Sequence, residues 1–213
     1  MTVPAGDLLR MLADLLVASS LALLVARPAA WSIGLLAVQG GLLAALAAAA
    51  TPGMAGWVAA GLILLTKVVG IPLVLVAAAH RTRSDDAVDR LLPWTWLAGA
   101  AIVLVGRLAL PTFAAGLSPA HAALLDTGLL MLLLGLAGMV GGRLLLGQVV
   151  HLVVVENALY CAGVALTGGL PAVLDAGAAV DLLLVISVLA WLSHHVHRLQ
   201  LPLHVDELRR LRD

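Results

Sequence analysis

Three ionisable residues stand near the middle of long apolar stretches of this sequence. Lys67 lies within LILLTKVVGIP, Glu156 within HLVVVENALY and Asp181 within AGAAVDLLLVI. A charge at the centre of a bilayer costs about 2.5–3.5 kcal/mol on insertion scales. If these stretches cross a membrane, the three side chains must therefore face the interior of a helical bundle, where they find partners or water.

Two carboxylates and one amine at similar depth on three helices can exchange between ion pairs and shared protons. A small rearrangement then moves a proton from one group to another, which is what a proton or cation path across an apolar slab requires. The alternative is a fixed pair of Lys67 with Glu156 or with Asp181 that sets helix packing and never titrates. The sequence leaves both interpretations open.

Four further ionisable residues fall within or near the predicted spans. Asp14 and Asp126 lie nearer the outer face, so we expect their side chains to reach toward the headgroups, and Arg107 is near the outer end of its segment. His151 precedes Glu156 by five residues, so the two point to different faces of one helix. We expect His151 to be an interior histidine with satisfied hydrogen bonds and keep it as a further candidate for the path.

Other chemistry finds little support in the residue pattern. His194, His195 and His197 end a predicted helix, but no nearby cysteine or carboxylate completes a site, so we expect no metal. The single cysteine, Cys161, excludes a disulfide within the chain. No phosphate-binding loop of the form GxxxxGK[ST] and no GxSxG motif occurs. The sequence therefore predicts no catalytic residues.

Composition and hydropathy indicate an all-α, polytopic integral membrane protein. Hydrophobic residues make up 62% of the 213, charged residues 11%, and the mean hydropathy is +1.10. A soluble domain needs more polar surface, and a formal net charge of +0 offers no basic patch for nucleic acid. About seven segments are long enough to span a bilayer. They run over 8–26, 31–50, 54–79, 93–110, 120–141, 144–167 and 173–195.

The basic residues predict the orientation of these segments. Nine of the twelve Lys and Arg residues follow the first, third, fifth and seventh segments, and the breaks after the second, fourth and sixth segments carry none. By the positive-inside rule, the N-terminus is outside and the C-terminus is cytoplasmic. The nine are Arg27, Arg81, Arg83, Arg90, Arg143, Arg198, Arg209, Arg210 and Arg212.

The segments divide the chain into a four-helix part (1–119), a three-helix part (120–197) and a cytoplasmic tail (198–213). The tail fits an amphipathic helix on the membrane surface or on a partner, or a frayed solvated end. The first segment lacks the basic leader of a signal peptide, so we expect a retained helix. Pro72 lies inside the third segment and predicts a kink there.

From residue 128 onward the chain resembles a known family. The stretch GLLMLLLGLAGMVGGRLLLGQVVHLVVVENALYCAGVAL resembles the first two helices of the small K-type membrane subunit of respiratory complex I. Glu156 falls at the position of that family's intramembrane glutamate. The ending HRLQLPLHVDELRRLRD resembles its C-terminal pattern of His-Arg followed by an acidic, Arg-containing tail.

With its extra helices ahead of that part, the whole chain looks more like component E of hydrogenase-4. The stretches TKVVGIPLVL, ENALYCAGVALTGGLP and VDELRRLRD suit that group in order and placement. The resemblance implies a non-catalytic subunit of a complex I-like assembly in the inner (plasma) membrane, contributing to proton or sodium translocation coupled to electron transfer. It implies that antiporter-like and other membrane subunits are partners. It places the nickel–iron centre and iron–sulfur clusters on partner subunits and no cofactor in this chain.

One position departs from the K-type pattern. That family has a second glutamate in its last helix, and the corresponding residue here is Val185. Asp181 lies one turn earlier, about 6 Å along the axis, and can substitute for it. The resemblance implies no counterpart for Lys67. A purely structural subunit for assembly and a component of a cation/proton antiporter remain the alternatives.

Overall fold

The computed structural model describes residues 5–26, 28–82, 95–109, 116–142, 145–167 and 187. Every element formed by these residues is a helix. The described residues form seven α-helices and one π-helical segment, Leu64–Gly70, which lies between the third and the fourth α-helix. The α-helices are α1 (Ala5–Val25), α2 (Ala29–Ala50), α3 (Met54–Ile63), α4 (Ile71–Thr82), α5 (Thr95–Ala109), α6 (Pro119–Gly141) and α7 (Leu145–Thr167).

Five of the described helices are long and apolar enough to cross a membrane, and α5, at 15 residues, is shorter. The all-helical prediction is confirmed for the described residues, and the first six predicted segments agree with the observed helices to within three residues. The seventh segment and the tail fall, Ser187 apart, outside the described residues. The five candidate spans are Gly6–Val25, Ala29–Ala50, Met54–His80, Pro119–Gly141 and Leu146–Thr167.

The third span is interrupted by the π-helical segment. The backbone N–H of Ile71 donates to the carbonyl of Thr66, five residues earlier, instead of four. The Thr66 hydroxyl donates to the Leu62 carbonyl of α3 at 2.8 Å. Pro72 follows directly and has no N–H to continue the ladder. The irregularity thus lies just before the proline at which the sequence predicted a kink.

Helices α6 and α7 pack closely because glycines line the face of α6 that meets α7. A Cβ atom added at Gly128 would lie 2.9 Å from the Ala158 carbonyl oxygen, and one at Gly135 would lie 2.8 Å from Cγ2 of Val155. Neither position has room for a side chain. Small residues of this kind allow close backbone approach in apolar bundles.

Helix α2 is the central element of the described bundle. It contacts α1, α3, the π-helical segment, α4 and α7. Its apolar residues enter two buried clusters, with Leu43 and Leu46 in one and Ile33 and Leu36 in the other. Residues near the middle of α2 therefore face several neighbouring helices at once, and the candidate site lies there.

Candidate functional site

An ion pair between Lys67 and Glu156 joins the π-helical segment to α7. The Lys67 side chain is 4% exposed and that of Glu156 is 20% exposed. The Lys67 ammonium also donates to Oδ1 of Asn157 at 2.7 Å. Of the two pairings that the sequence left open, the structure brings Lys67 to Glu156. Two consecutive residues of α7 therefore hold one buried ammonium.

Uncharged side chains extend this contact across the bundle. The Asn157 amide nitrogen donates to Oε1 of Gln39 on α2 at 2.9 Å. The Gln39 amide nitrogen donates to Oγ of Ser20 at 2.8 Å and to Oγ of Ser19 at 3.2 Å, both on α1. Asn157 and Gln39 are almost fully buried. A hydrogen-bonded chain thus runs from α7 through α2 to α1.

The serine hydroxyls end this chain on a main-chain carbonyl. Ser20 donates to the Leu16 carbonyl at 2.9 Å and Ser19 donates to the same oxygen at 2.8 Å. Because both bonds lie within α1, the hydroxyls satisfy their donors without another helix. The set will be called the buried polar network; its members are Glu156, Lys67, Asn157, Gln39, Ser20 and Ser19.

The two ends of the network impose the same direction on its hydrogen bonds. The serine hydroxyls donate to the Leu16 carbonyl, so they accept from the Gln39 amide nitrogen, and the other end is set by Lys67. An ammonium can only donate, so Asn157 must turn its amide oxygen toward Lys67 and its NH₂ toward Gln39. Gln39 then accepts through its oxygen and donates through its NH₂ to the serines. Each residue has one workable orientation, and a network satisfied in this way is rigid.

The network contains two kinds of side chain: ionisable groups, and uncharged groups that orient the ionisable ones. The amides of Asn157 and Gln39 do not titrate, and the serine hydroxyls point at a carbonyl. A proton therefore cannot be relayed along this side of the network. Lys67 and Glu156 are the members of the network with ionisable side chains, and Glu156 is the more accessible of the two.

Close approach of α2 to the π-helical segment depends on Gly40, the neighbour of Gln39. A Cβ atom added at Gly40 would lie 3.0 Å from Cβ of Lys67 and 3.1 Å from its carbonyl oxygen. The backbones therefore meet at the level of Lys67. Gln39 and Gly40 together place α2 against both the amide of Asn157 and the main chain of Lys67.

The main-chain carbonyl of Lys67 has lost its two regular helical donors. The N–H of Ile71, four residues on, donates to Thr66 instead. Pro72, five residues on, has no N–H. This carbonyl faces the Gly40 side of α2. Irregular backbone of this kind in an apolar bundle occurs where it is buried in protein or lines a cavity.

The secondary candidates Asp14 and Arg107 form an ion pair between α1 and α5. The Asp14 side chain is 66% exposed and the Arg107 side chain 41% exposed, so this contact is peripheral. Arg107 also lies close enough to Asp126 of α6 for electrostatic attraction. One carboxylate oxygen of Asp126, Oδ1, accepts no hydrogen bond from the described residues. The sequence had predicted headgroup contacts for both acids and named no partner.

His151 is buried against α6. Its Nδ1 lies 2.8 Å from the Gly147 carbonyl oxygen. A Cβ atom added at Gly138 would lie 1.9 Å from Cδ2 of the His151 ring, so the glycine makes room for the imidazole. His151 thus faces α6, whereas Glu156 faces Lys67, as the five-residue spacing predicted. Asp181 falls outside the described residues.

Sequence reasoning missed the uncharged half of the network because it considered only ionisable groups. Gln39 stands in AVQGG at the middle of an apolar helix, and Asn157 directly follows Glu156. A buried amide inside a long apolar helix needs hydrogen-bond partners from neighbouring helices, and that signal was present. Ser19 and Ser20 carry a weaker signal, since serine is common in such helices.

Among the described residues, no group of three or more His, Cys, Asp or Glu side chains could hold a metal ion. Comparison of the chain with protein-family models, with curated proteins and with solved structures gives no match. The site is therefore interpreted from its own geometry.

Proposed function

We propose that this chain is a non-catalytic membrane subunit of a complex I-like redox assembly, of the hydrogenase-4 component E type, in which Lys67 and Glu156 take part in moving protons or sodium ions. The observation that carries the proposal is a titratable acid–base pair buried between the third span and α7. Such a pair is costly in an apolar bundle, and ionisable groups kept there mark ion pathways.

The unequal surroundings of the two groups support a path that passes Glu156. Lys67 is enclosed and its ammonium is bonded to Glu156 and Asn157. Glu156 has a fifth of its side chain accessible. Protons enter or leave at Glu156, and the positive charge of Lys67 modulates the path. Asp181, one helical turn before the position of the family's second carboxylate, is the next acid on the path.

The proposal includes the full topology and the assembly. Seven spans place the N-terminus outside and the C-terminus in the cytoplasm of the inner membrane. The partners are antiporter-like and other membrane subunits, and the nickel–iron centre and iron–sulfur clusters lie on partner subunits. The resemblance from residue 128 onward supports this, together with the position of Glu156 in it.

The first experiment identifies the partners. The full chain is purified in mild detergent and the co-purifying proteins are identified by mass spectrometry. Redox subunits with large antiporter-like subunits support the proposal. Recovery of the chain alone, or with a transporter and no redox subunit, would contradict it and favour the antiporter component.

The second experiment tests Glu156 in the reconstituted assembly. We expect Glu156→Gln to abolish proton movement while electron transfer continues, because the amide cannot carry a proton. Asp14→Asn is the matched control, since it removes one carboxylate from a peripheral pair. Wild-type coupling in Glu156→Gln would remove this residue from the mechanism.

A structural subunit is the second candidate, and one observation favours it. Each described member of the buried polar network has a partner, so the network fixes α1, α2, α7 and the third span relative to one another. Replacing Lys67 and Glu156 together by Met and Leu separates the two candidates. Loss of assembly indicates the structural role, whereas intact assembly with lost coupling indicates transport.

A further inference from the structure

We propose that the Lys67 ammonium is a tethered cation that occupies a monovalent-cation site formed by Glu156 and Asn157, and that it thereby excludes sodium from the path. The choice of proton over sodium as the carried ion rests on the proposed function. The site itself rests on the geometry around the ammonium.

The first step concerns the oxygens. The ammonium is held by a carboxylate oxygen of Glu156 and by the amide oxygen of Asn157, at 2.7 Å from the latter. Carboxylate and amide oxygens are the ligands that hard cations prefer. Lys67 thus places a positive charge where an alkali ion would find a negative charge and a neutral oxygen donor from consecutive residues of one helix.

The second step concerns what keeps these oxygens in place. The Asn157 amide is oriented by its own bond to Gln39 at 2.9 Å, and Gln39 is oriented by Ser20 and Ser19. These bonds do not involve Lys67. When the lysine side chain is removed, the Asn157 oxygen therefore still points into the vacated space. The amide side of the network preforms the site and does not depend on its occupant.

The third step is electrostatic. Without the ammonium, Glu156 must either take up a proton or attract another cation, because an unpaired charge in an apolar bundle is costly. A shortened side chain leaves room for an ion with water. In the wild type, a tethered ammonium has a high effective concentration at the site, which dissolved sodium must overcome. Lys67 is thus the residue that determines ion specificity.

The test measures binding of radioactive sodium (²²Na⁺) to the full chain in lipid nanodiscs. Lys67→Ala is expected to bind sodium saturably, with at least about tenfold more bound than the wild type at the same concentration. Lys67→Ala combined with Glu156→Gln is the matched control and is expected to bind as little as the wild type. Saturable sodium binding by the wild type would overturn the proposal, as would its absence in folded Lys67→Ala.

Two additions keep the test decisive if Lys67→Ala does not fold. Lys67→Ser vacates nearly the same space, adds a hydroxyl oxygen and carries the same expectations. In the wild type, reaction of Glu156 with a hydrophobic carbodiimide is measured with sodium or choline present. Equal rates support a site already filled by Lys67, and protection by sodium overturns it. These readouts need no transport, so the proposed function can fail while the site stands, or the reverse.

Discussion

At the scale of the residue, mutation of Lys67 is expected to reduce the stability of the protein strongly. Replacing it by Met leaves the Glu156 carboxylate and the Asn157 oxygen without their donor in a buried setting. Breaking a buried pair by removing one member costs about 3–5 kcal/mol. We expect Lys67→Met to lower the free energy of unfolding by about this amount, measured by denaturant titration of the purified chain.

A double variant shows whether the loss of stability in Lys67→Met comes from the unpaired carboxylate of Glu156. Lys67→Met combined with Glu156→Leu removes both charges, and apolar replacement of a whole buried pair is often neutral. We expect the double variant to recover most of the stability, leaving a large coupling energy in the double-mutant cycle. Additive losses would mean that the two side chains do not interact.

Gln39 tests the uncharged side of the network. Gln39→Leu removes the acceptor of the Asn157 amide and the donor to the serines, so a buried donor is left unsatisfied at a cost of about 1–3 kcal/mol. Thermal unfolding of the purified chain measures the change. Gln148→Leu is the control, because Gln148 is half-buried and makes one weaker bond, at 3.3 Å, to the Gly142 carbonyl. Equal effects of the two variants would contradict a special role for Gln39.

At the scale of the helix, α2 contains a matched pair of glycines. A methyl group at Gly40 would push into Lys67, whereas nothing lies within 4 Å of a Cβ atom built at Gly41. We expect Gly40→Ala to destabilise by about 1–3 kcal/mol through overpacking. Gly41→Ala should be neutral or stabilising by up to about 1 kcal/mol, since alanine is the better helix former.

Both variants are compared by thermal unfolding. If Gly40→Ala is as stable as Gly41→Ala, the backbones of α2 and the π-helical segment are not in contact at Lys67. If both destabilise equally, the effect belongs to helix α2 in general and not to this contact.

The helices could be predicted from two features of the sequence: the lengths of the apolar runs and the residues that bound them. Apolar runs of about 20 residues bounded by Pro, Gly or charge define spans. The π-helical segment could not be predicted from these signals. Pro72 indicates an irregularity, but it does not distinguish a kink from a π-helical turn, in which the N–H of Ile71 donates five residues back.

The charged residues of the candidate site could be predicted from the sequence, but the contacts among the site residues could not. Lys67 and Glu156 stand out because ionisable groups are rare in apolar runs. Their pairing depends on the rotation of each helix about its axis, and α2 and α7 have apolar residues all round, so no apolar face shows which side is turned inward. Gln39 and Asn157 were recognisable as polar residues. They lie 118 residues apart in the sequence, and only the fold brings them into contact.

For the whole molecule, the proposed orientation can be tested with cysteines. Met54 is 78% exposed at the start of α3, next to a break assigned to the outside, and Ser84 lies in a basic break assigned to the cytoplasm. In intact cells, a membrane-impermeant maleimide should label Met54→Cys and not Ser84→Cys. Permeabilised cells should label both. The reverse pattern would invert the topology.

The native thiol provides the internal control. Cys161 is fully buried, so the wild-type chain should not react until it is denatured. Labelling of the folded wild type would mean that the cysteine variants must be made in a background in which Cys161 is replaced by alanine.

The separation of Lys67 from its acceptors has a consequence for synthesis. Glu156 leaves the ribosome 89 residues after Lys67, which is roughly 4–18 s at ordinary rates of elongation. During that interval the third span must enter the bilayer before α7, which contains Glu156, has been synthesised. That span, Met54–His80, has the highest mean hydropathy of the five, 2.4 against 1.8–2.0 for the others. The additional apolar residues of this span offset the cost of inserting the Lys67 charge. The nascent chain can therefore insert this helix before Glu156, which neutralises that charge, has been synthesised.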